Sequence, residues 1–157
     1  FWLVSAASTT MVFVMRHAEK QTANPDDKDP PLAPAGEARA LELAQHFGSA
    51  PKGQALDAII VTELRRTQDT VRPLANRLGV PVIVVPAADP QGAAERALHD
   101  FRGGRVLIVA HSDTVPEIVK ALSGVDVGPM ADTQYGIIYM VAVPRFRRAA
   151  VTRFDQP

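Results

Sequence analysis

The chain has 157 residues, with Lys plus Arg equal to Asp plus Glu at 17 each, so no whole-molecule field draws it to nucleic acid or to an anionic membrane. It contains no cysteine, which excludes disulfides, thiolate metal sites and cysteine nucleophiles. A hydrophobic fraction of 46% and a charged fraction of 22% fit a globular fold, and the length fits one domain over residues 1–157.

The first residues, Phe1-Trp2-Leu3-Val4-Ser5-Ala6-Ala7-Ser8, join a short apolar run to small side chains. They read either as the remnant of a secretory signal or extension over residues 1–10, or as an ordinary edge strand. The first reading makes the protein periplasmic or secreted, the second cytoplasmic. No run approaches the ~18 apolar residues that a membrane span needs.

Short, nearly continuous apolar runs follow at Met11–Met15, Ala58–Val61, Val82–Val85 and Val106–Ala110. Such runs, rich in β-branched residues, are expected of parallel strands buried on both faces. Two more, Ile137–Val143 and Ala149–Phe154, flank the turn-like Pro144-Arg145-Phe146-Arg147-Arg148 and predict an antiparallel pair. Helical periodicity occupies the intervals. Pro34–Phe47 places Ala40, Leu43 and Phe47 on one face. Val71, Leu74, Ala75 and Leu78 form a second stripe, which Pro73 should shorten or kink. Ala93–Phe101 is a weaker helix. Thr114 and Glu117 have capping-box spacing ahead of Val115, Ile118, Val119 and Leu122. This alternation predicts an α/β domain, a three-layer α/β/α sandwich around a mainly parallel sheet with an antiparallel edge.

Reactive or cationic residues stand just past three of the strands: Arg16-His17, Arg65-Arg66, and His111-Ser112-Asp113. Parallel strands bring all three to the carboxyl edge of the sheet, where open α/β sheets bind ligands. Paired arginines and histidines there describe a receptor for a compact dianion, because guanidinium groups grip phosphate oxygens bidentately. Arginines at the start of a helix also oppose its dipole, a small argument for an anionic partner. The polar, proline-rich segment 24–34 adds a loop at the same edge. His46 and His99 have no companion motif, and the four histidines form no metal-binding pair, so neither a metal nor another cofactor is expected.

Together these segments resemble the histidine phosphatase superfamily, which includes phosphoglycerate mutases, acid phosphatases and SixA-type phosphohistidine phosphatases. Arg16-His17-Ala18-Glu19 is similar to its Arg-His-Gly-Glu signature. Thr62-x-Leu64-x-Arg66-Thr67-x-Asp69-Thr70 is similar to its Ser-x-Leu-x-Arg-Ala-x-Gln-Thr segment. Ala110-His111-Ser112 corresponds to its second histidine, and Asp29-Pro30-Pro31-Leu32-x-Pro34-x-Gly36 to the approach to its first helix. The resemblance implies that His17 is a nucleophile forming a phosphohistidine, with Arg16, Arg66, His111 and Ser112 around the phosphoryl group. It selects Arg66 over Arg65 as the phosphate ligand.

Departures from the pattern carry information. Ala18 replaces glycine. Ala33 replaces a threonine and removes a helix cap worth about 1 kcal/mol. Asp113 stands where relatives have a neutral side chain, and reads as a turn or capping residue facing away. A general acid for the leaving group is not evident, and Glu19, Asp89, Glu95 and Asp113 are the candidates. Without an acid, a better leaving group such as the imidazole of phosphohistidine is implied. The sequence therefore predicts a phosphatase acting on a phosphorylated small molecule or a phosphohistidine protein. The alternatives are a phosphate-binding module with little turnover and, less favoured because the chain lacks long insertions, a small mutase.

Overall fold

The structure is a computed structural model that describes residues 9–156. The leader reading of the N-terminus rests on residues outside that range. Strand β1 (Thr10–Arg16) is followed by α1 (Pro34–Gly48), β2 (Ala58–Val61), α2 (Arg65–Leu78), β3 (Val82–Val84) and α3 (Pro90–Asp100). Then come β4 (Arg105–Ala110), α4 (Val115–Ser123), β5 (Ile137–Val143) and β6 (Ala150–Asp155).

The strands form one sheet in the order β3-β2-β4-β1-β5-β6. β1 to β4 are parallel, while β5 pairs antiparallel with both β1 and β6. The mainly parallel α/β sandwich and its antiparallel end are thus as the sequence predicts. β5 is the reversed strand, one position in from the edge.

Alternation along the strands builds two cores. Val12, Val14, Ile60, Val106 and Ile108 face α3 and α4, where Ala93, Ala97, Ile118 and Leu122 cover them. Phe13, Met15, Ile59, Val61, Leu107 and Val109 face α1 and α2, against Leu43, Phe47, Val71 and Leu74. Burying both faces of the central strands is what makes their sequences continuously apolar.

Four local expectations change. β3 ends the sheet, so Val82 and Val84 are 42% and 52% exposed rather than buried on both sides. α2 runs through Pro73 to Leu78 and closes on Gly79 at φ 67°, because buried Val71 and Leu74 anchor it on both sides of the proline. α3 starts at Pro90, capped by Asp89, whose side chain accepts from the Gly92 amide at 2.9 Å. Thr114 caps no helix amide with its side chain; its hydroxyl accepts from the His111 amide at 3.1 Å instead. Among the described residues no helix is long and apolar enough to cross a membrane.

Candidate active site

The register sets the centre of the site. Arg16 lies opposite Ala110 across the β1–β4 ladder, and the His17 amide extends that ladder by donating to the Ala110 carbonyl at 2.9 Å. His17 and His111 therefore leave neighbouring strands at one level, their ring centroids 5.4 Å apart. Arg66 comes from the first turn of α2, just beyond β2. A cleft of about 450 Å³ is lined by Arg16, His17, Arg66, His111 and Ser112, with Lys20 and Tyr135 among the residues around them. The residues selected from three strand ends are thus brought together.

His17 is held in one tautomer. Its Nδ1 lies 2.7 Å from the Ala18 carbonyl, which can only accept, so Nδ1 carries the proton and Nε2 keeps its lone pair. The Ala18 peptide is itself fixed, its amide donating at 2.9 Å to the hydroxyl of Thr70, which donates to the Arg66 carbonyl at 2.6 Å. Burial is the main cause that lowers the His17 pKa to about 3, and Arg16, His111 and Arg66 push it the same way. Burial, then Arg66, lowers that of His111 to about 4. Both rings are neutral at pH 7, and a neutral imidazole is the nucleophilic form.

α1 passes directly beneath this segment. A Cβ on Gly36 would collide with the Glu19 carbonyl, so glycine at this place in the Pro34-x-Gly36 motif permits the close approach. Glu19 itself turns away from the cleft, with both carboxylate oxygens engaged by Arg39 at 2.7–3.1 Å. That guanidinium holds its carboxyl below the usual range. Asp29 reaches from the proline-rich loop to accept the Arg65 amide at 2.8 Å, which supplies the acidic partner the helix start lacks.

Arg16, 5% exposed, is clamped from the loop that leads into the reversed strand. Its Nη1 donates to the carbonyls of Asp132 and Gln134 at 2.6 and 3.1 Å, and its guanidinium lies 4.1 Å from the centroid of the Tyr135 ring. Ser112 Oγ donates to the Asp132 carboxylate at 2.9 Å. Sequence reasoning missed Asp132, Gln134 and Tyr135. It sought functional groups after parallel strands, whereas these precede an antiparallel one. The available signal was the predicted antiparallel β5–β6 pair, because a reversed strand beside β1 presents its leading loop to the same edge.

The proposed acids separate. Asp89 and Glu95 line another groove, of about 690 Å³, between β3 and α3, and the Asp89 side chain is a helix cap. Glu19 is occupied by Arg39. Asp113 lines the cleft, contrary to its reading as a residue facing away, because the capping position belongs to Thr114. The chain between β2 and β4 contributes Leu64, Arg66 and Ala87 to the lining and no carboxylate.

Among the described residues, several buried side-chain atoms have no hydrogen-bond partner. They include Nε of Arg16, Nε and Nη1 of Arg66, and Nδ1 of His111. Buried donors are ordinarily paired, and orphaned ones cost about 1–3 kcal/mol each. Arg16, Arg66 and His111, which carry these atoms, line the same cleft as His17. Arg65, by contrast, is 54% exposed and lies 3.7 Å from Asp69.

Residues 12–89 match the model of the histidine phosphatase superfamily, branch 1. No curated protein matches the sequence significantly. Among solved structures, the protein histidine phosphatase SixA complexed with tungstate superimposes with a TM-score of 0.71 at 18% identity, covering 93% of this chain and 97% of that one. The mycobacterial glucosyl-3-phosphoglycerate phosphatase superimposes with a TM-score of 0.69 at 17% identity, covering 95% and 100%. Its complex with VO3 gives 0.69 at 17% identity over 94% and 100%. The match to residues 12–89, which contain Arg16, His17 and Arg66, places this chain in the histidine phosphatase superfamily, and the solved structures share its fold.

Proposed function

We propose that this protein is a phosphatase that works through a phosphohistidine on His17. Nε2 of His17 attacks phosphorus, and the bond from phosphorus to the leaving oxygen or nitrogen breaks with its electron pair. Water then attacks the phosphorus, the P–N bond to His17 breaks, and phosphate leaves. Arg16, Arg66 and His111 hold the phosphoryl oxygens and offset the charge that accumulates on them. The observation that carries this reading is the set of unpartnered buried nitrogens of Arg16, Arg66 and His111 in the lining of the cleft that also holds His17, whose Nε2 is left unprotonated.

The leaving group is one that needs little proton assistance. The segment between β2 and β4 puts no carboxylate in the cleft lining; Glu63, whose charge acts on His111 and Arg66, is held ionised by the Ala87 amide, as Glu19 is by Arg39. The imidazole of a phosphohistidine side chain meets that condition better than an alkoxide. The fold shared with SixA, a protein histidine phosphatase, supports the same choice. The fold shared with glucosyl-3-phosphoglycerate phosphatase makes a phosphorylated small molecule the competing substrate.

Rapid-quench incubation with a phosphohistidine peptide and with an aryl phosphate tests the proposal. Acid-labile, alkali-stable phosphate should appear on His17, and His17→Ala should abolish both the adduct and phosphate release. Tight phosphate binding with neither adduct nor release would reduce the protein to a binding module. Faster turnover of alkyl phosphates than of the phosphohistidine peptide would overturn the choice of leaving group.

A further inference from the structure

We propose that Thr62 is a positioning residue that fixes the tautomer of His111 and so makes its Nδ1 a proton donor to the oxyanion. The inference rests on the phosphatase reading for its catalytic consequence, while the tautomer itself can be measured without substrate. Thr62 ends the β2 side of the site, is 6% exposed, and places Oγ1 3.0 Å from Nε2 of His111.

The argument is a count of protons. A neutral imidazole has one N–H, so Nε2 either donates to the threonine or accepts from it. Thr62 Oγ1 already receives the Leu64 amide at 3.3 Å. Its own proton has two destinations, Nε2 of His111 at 3.0 Å and Oγ1 of Thr67 at 3.2 Å.

Thr67 Oγ1 keeps one lone pair, but at 3.2 Å it is the more distant of the two acceptors. It is fully buried, receives the Thr62 amide at 3.1 Å, and has the Leu64 carbonyl at 2.8 Å as the shortest acceptor for its proton. The Thr62 carbonyl is satisfied separately by the Gln68 side chain at 3.0 Å. The shorter path for the Thr62 proton, 3.0 against 3.2 Å, leads to Nε2. His111 must then carry its own proton on Nδ1, the buried atom that no protein group accepts from.

The alternative arrangement would present the Nδ1 lone pair to a bound phosphoryl oxygen, which is repulsive. Thr62 does not touch the reacting atoms; it acts through the ring. The segment Thr62-x-Leu64-x-Arg66-Thr67 thereby does two jobs, supplying one guanidinium and setting the polarity of the second histidine through a pair of hydroxyls.

Long-range ¹H–¹⁵N spectra of the histidine-labelled protein at pH 7 decide the matter. The expected pattern assigns His111 to the Nδ1–H tautomer in the native protein and in Thr62→Ser, which keeps a hydroxyl. Thr62→Val should shift His111 toward Nε2–H and lower kcat/KM about a hundredfold to a thousandfold, as loss of one oxyanion donor does, with Thr62→Ser restoring it. A native protein found in the Nε2–H form overturns the proposal, as does a Thr62→Val spectrum identical to the native one. Should Thr62→Val fail to fold, the native and Thr62→Ser spectra still decide the tautomer. A protein with the predicted tautomer and no turnover on any phosphate overturns the phosphatase reading alone.

Discussion

The guanidinium of Arg16 rests 4.1 Å from the ring centroid of Tyr135, so a residue at the end of β1 is fixed by one in the loop just ahead of the reversed strand. A cation over an aromatic face is worth about 0.5–2 kcal/mol. Tyr135→Ala should therefore weaken inhibition by vanadate about 2- to 30-fold, whereas Tyr135→Phe should stay near the native value. Inhibition constants for the three proteins provide the check. Equal loss in both variants would show that the hydroxyl, not the ring, matters.

Arg66 and Arg65 are adjacent in sequence and opposite in environment. Arg66 lines the cleft with two unpartnered nitrogens, while Arg65 is half-exposed and lies near Asp69. Arg66→Ala should cut oxyanion affinity by about a hundredfold or more. Arg65→Ala should change it by no more than about twofold. Isothermal titration with vanadate separates them, and the reverse order would mean that the register of the arginine motif is misassigned.

Acid should act on the folded protein through its buried histidines. The folded-state pKa values of about 3 for His17 and about 4 for His111 lie below the ordinary 6.5. Between those values and 6.5 the unfolded chain binds more protons than the native one, so stability rises with pH in this window and is lost as pH falls through it. NMR titration of the free protein should find both rings neutral down to about pH 5. The Tm of the native protein should fall more steeply below pH 6.5 than that of His17→Asn. Ring titration near 6.5 would contradict the desolvated site.

Asp113 places a carboxylate at the lip of a pocket built for an anion. Its field raises the pKa of both Arg66 and His111, so it opposes the phosphoryl charge from nearby. Asp113→Asn should tighten vanadate binding by about three- to tenfold and leave turnover of a phosphohistidine peptide intact. Selective collapse of alkyl phosphate hydrolysis in this variant would identify Asp113 as the missing proton donor.

The sequence disclosed what repeats or sits on regular elements. The apolar runs around Val14, Ile60 and Ile108 marked central strands because both of their faces are covered, and parallel direction then placed Arg16, His17, Arg66 and His111 at one edge. It did not disclose the acceptor for His17 Nδ1, because a backbone carbonyl leaves no trace in residue identity. Nor did it reveal the clamp on Arg16, which uses the carbonyls of Asp132 and Gln134 together with a tyrosine in an irregular segment. Thr114 misled for a related reason: its spacing to Glu117 suits a cap, but the nearer His111 amide takes the hydroxyl. Asp89 misled in the opposite way, since a carboxylate that looked chemical is holding the first turn of α3.

The reversal of β5 divides the labour of the site between two kinds of chain segment. The groups proposed to handle phosphorus are anchored where β1, β2 and β4 end, and shifting any of them would disturb the central ladder. Another part of the cleft wall includes Asp132 and Tyr135, from a connecting stretch whose length no strand register dictates. Exchanging that stretch would retune substrate range without touching the nucleophile, on one condition. Any replacement must still offer Arg16 its two carbonyls and a ring, so the scaffold constrains its own diversification at a single guanidinium.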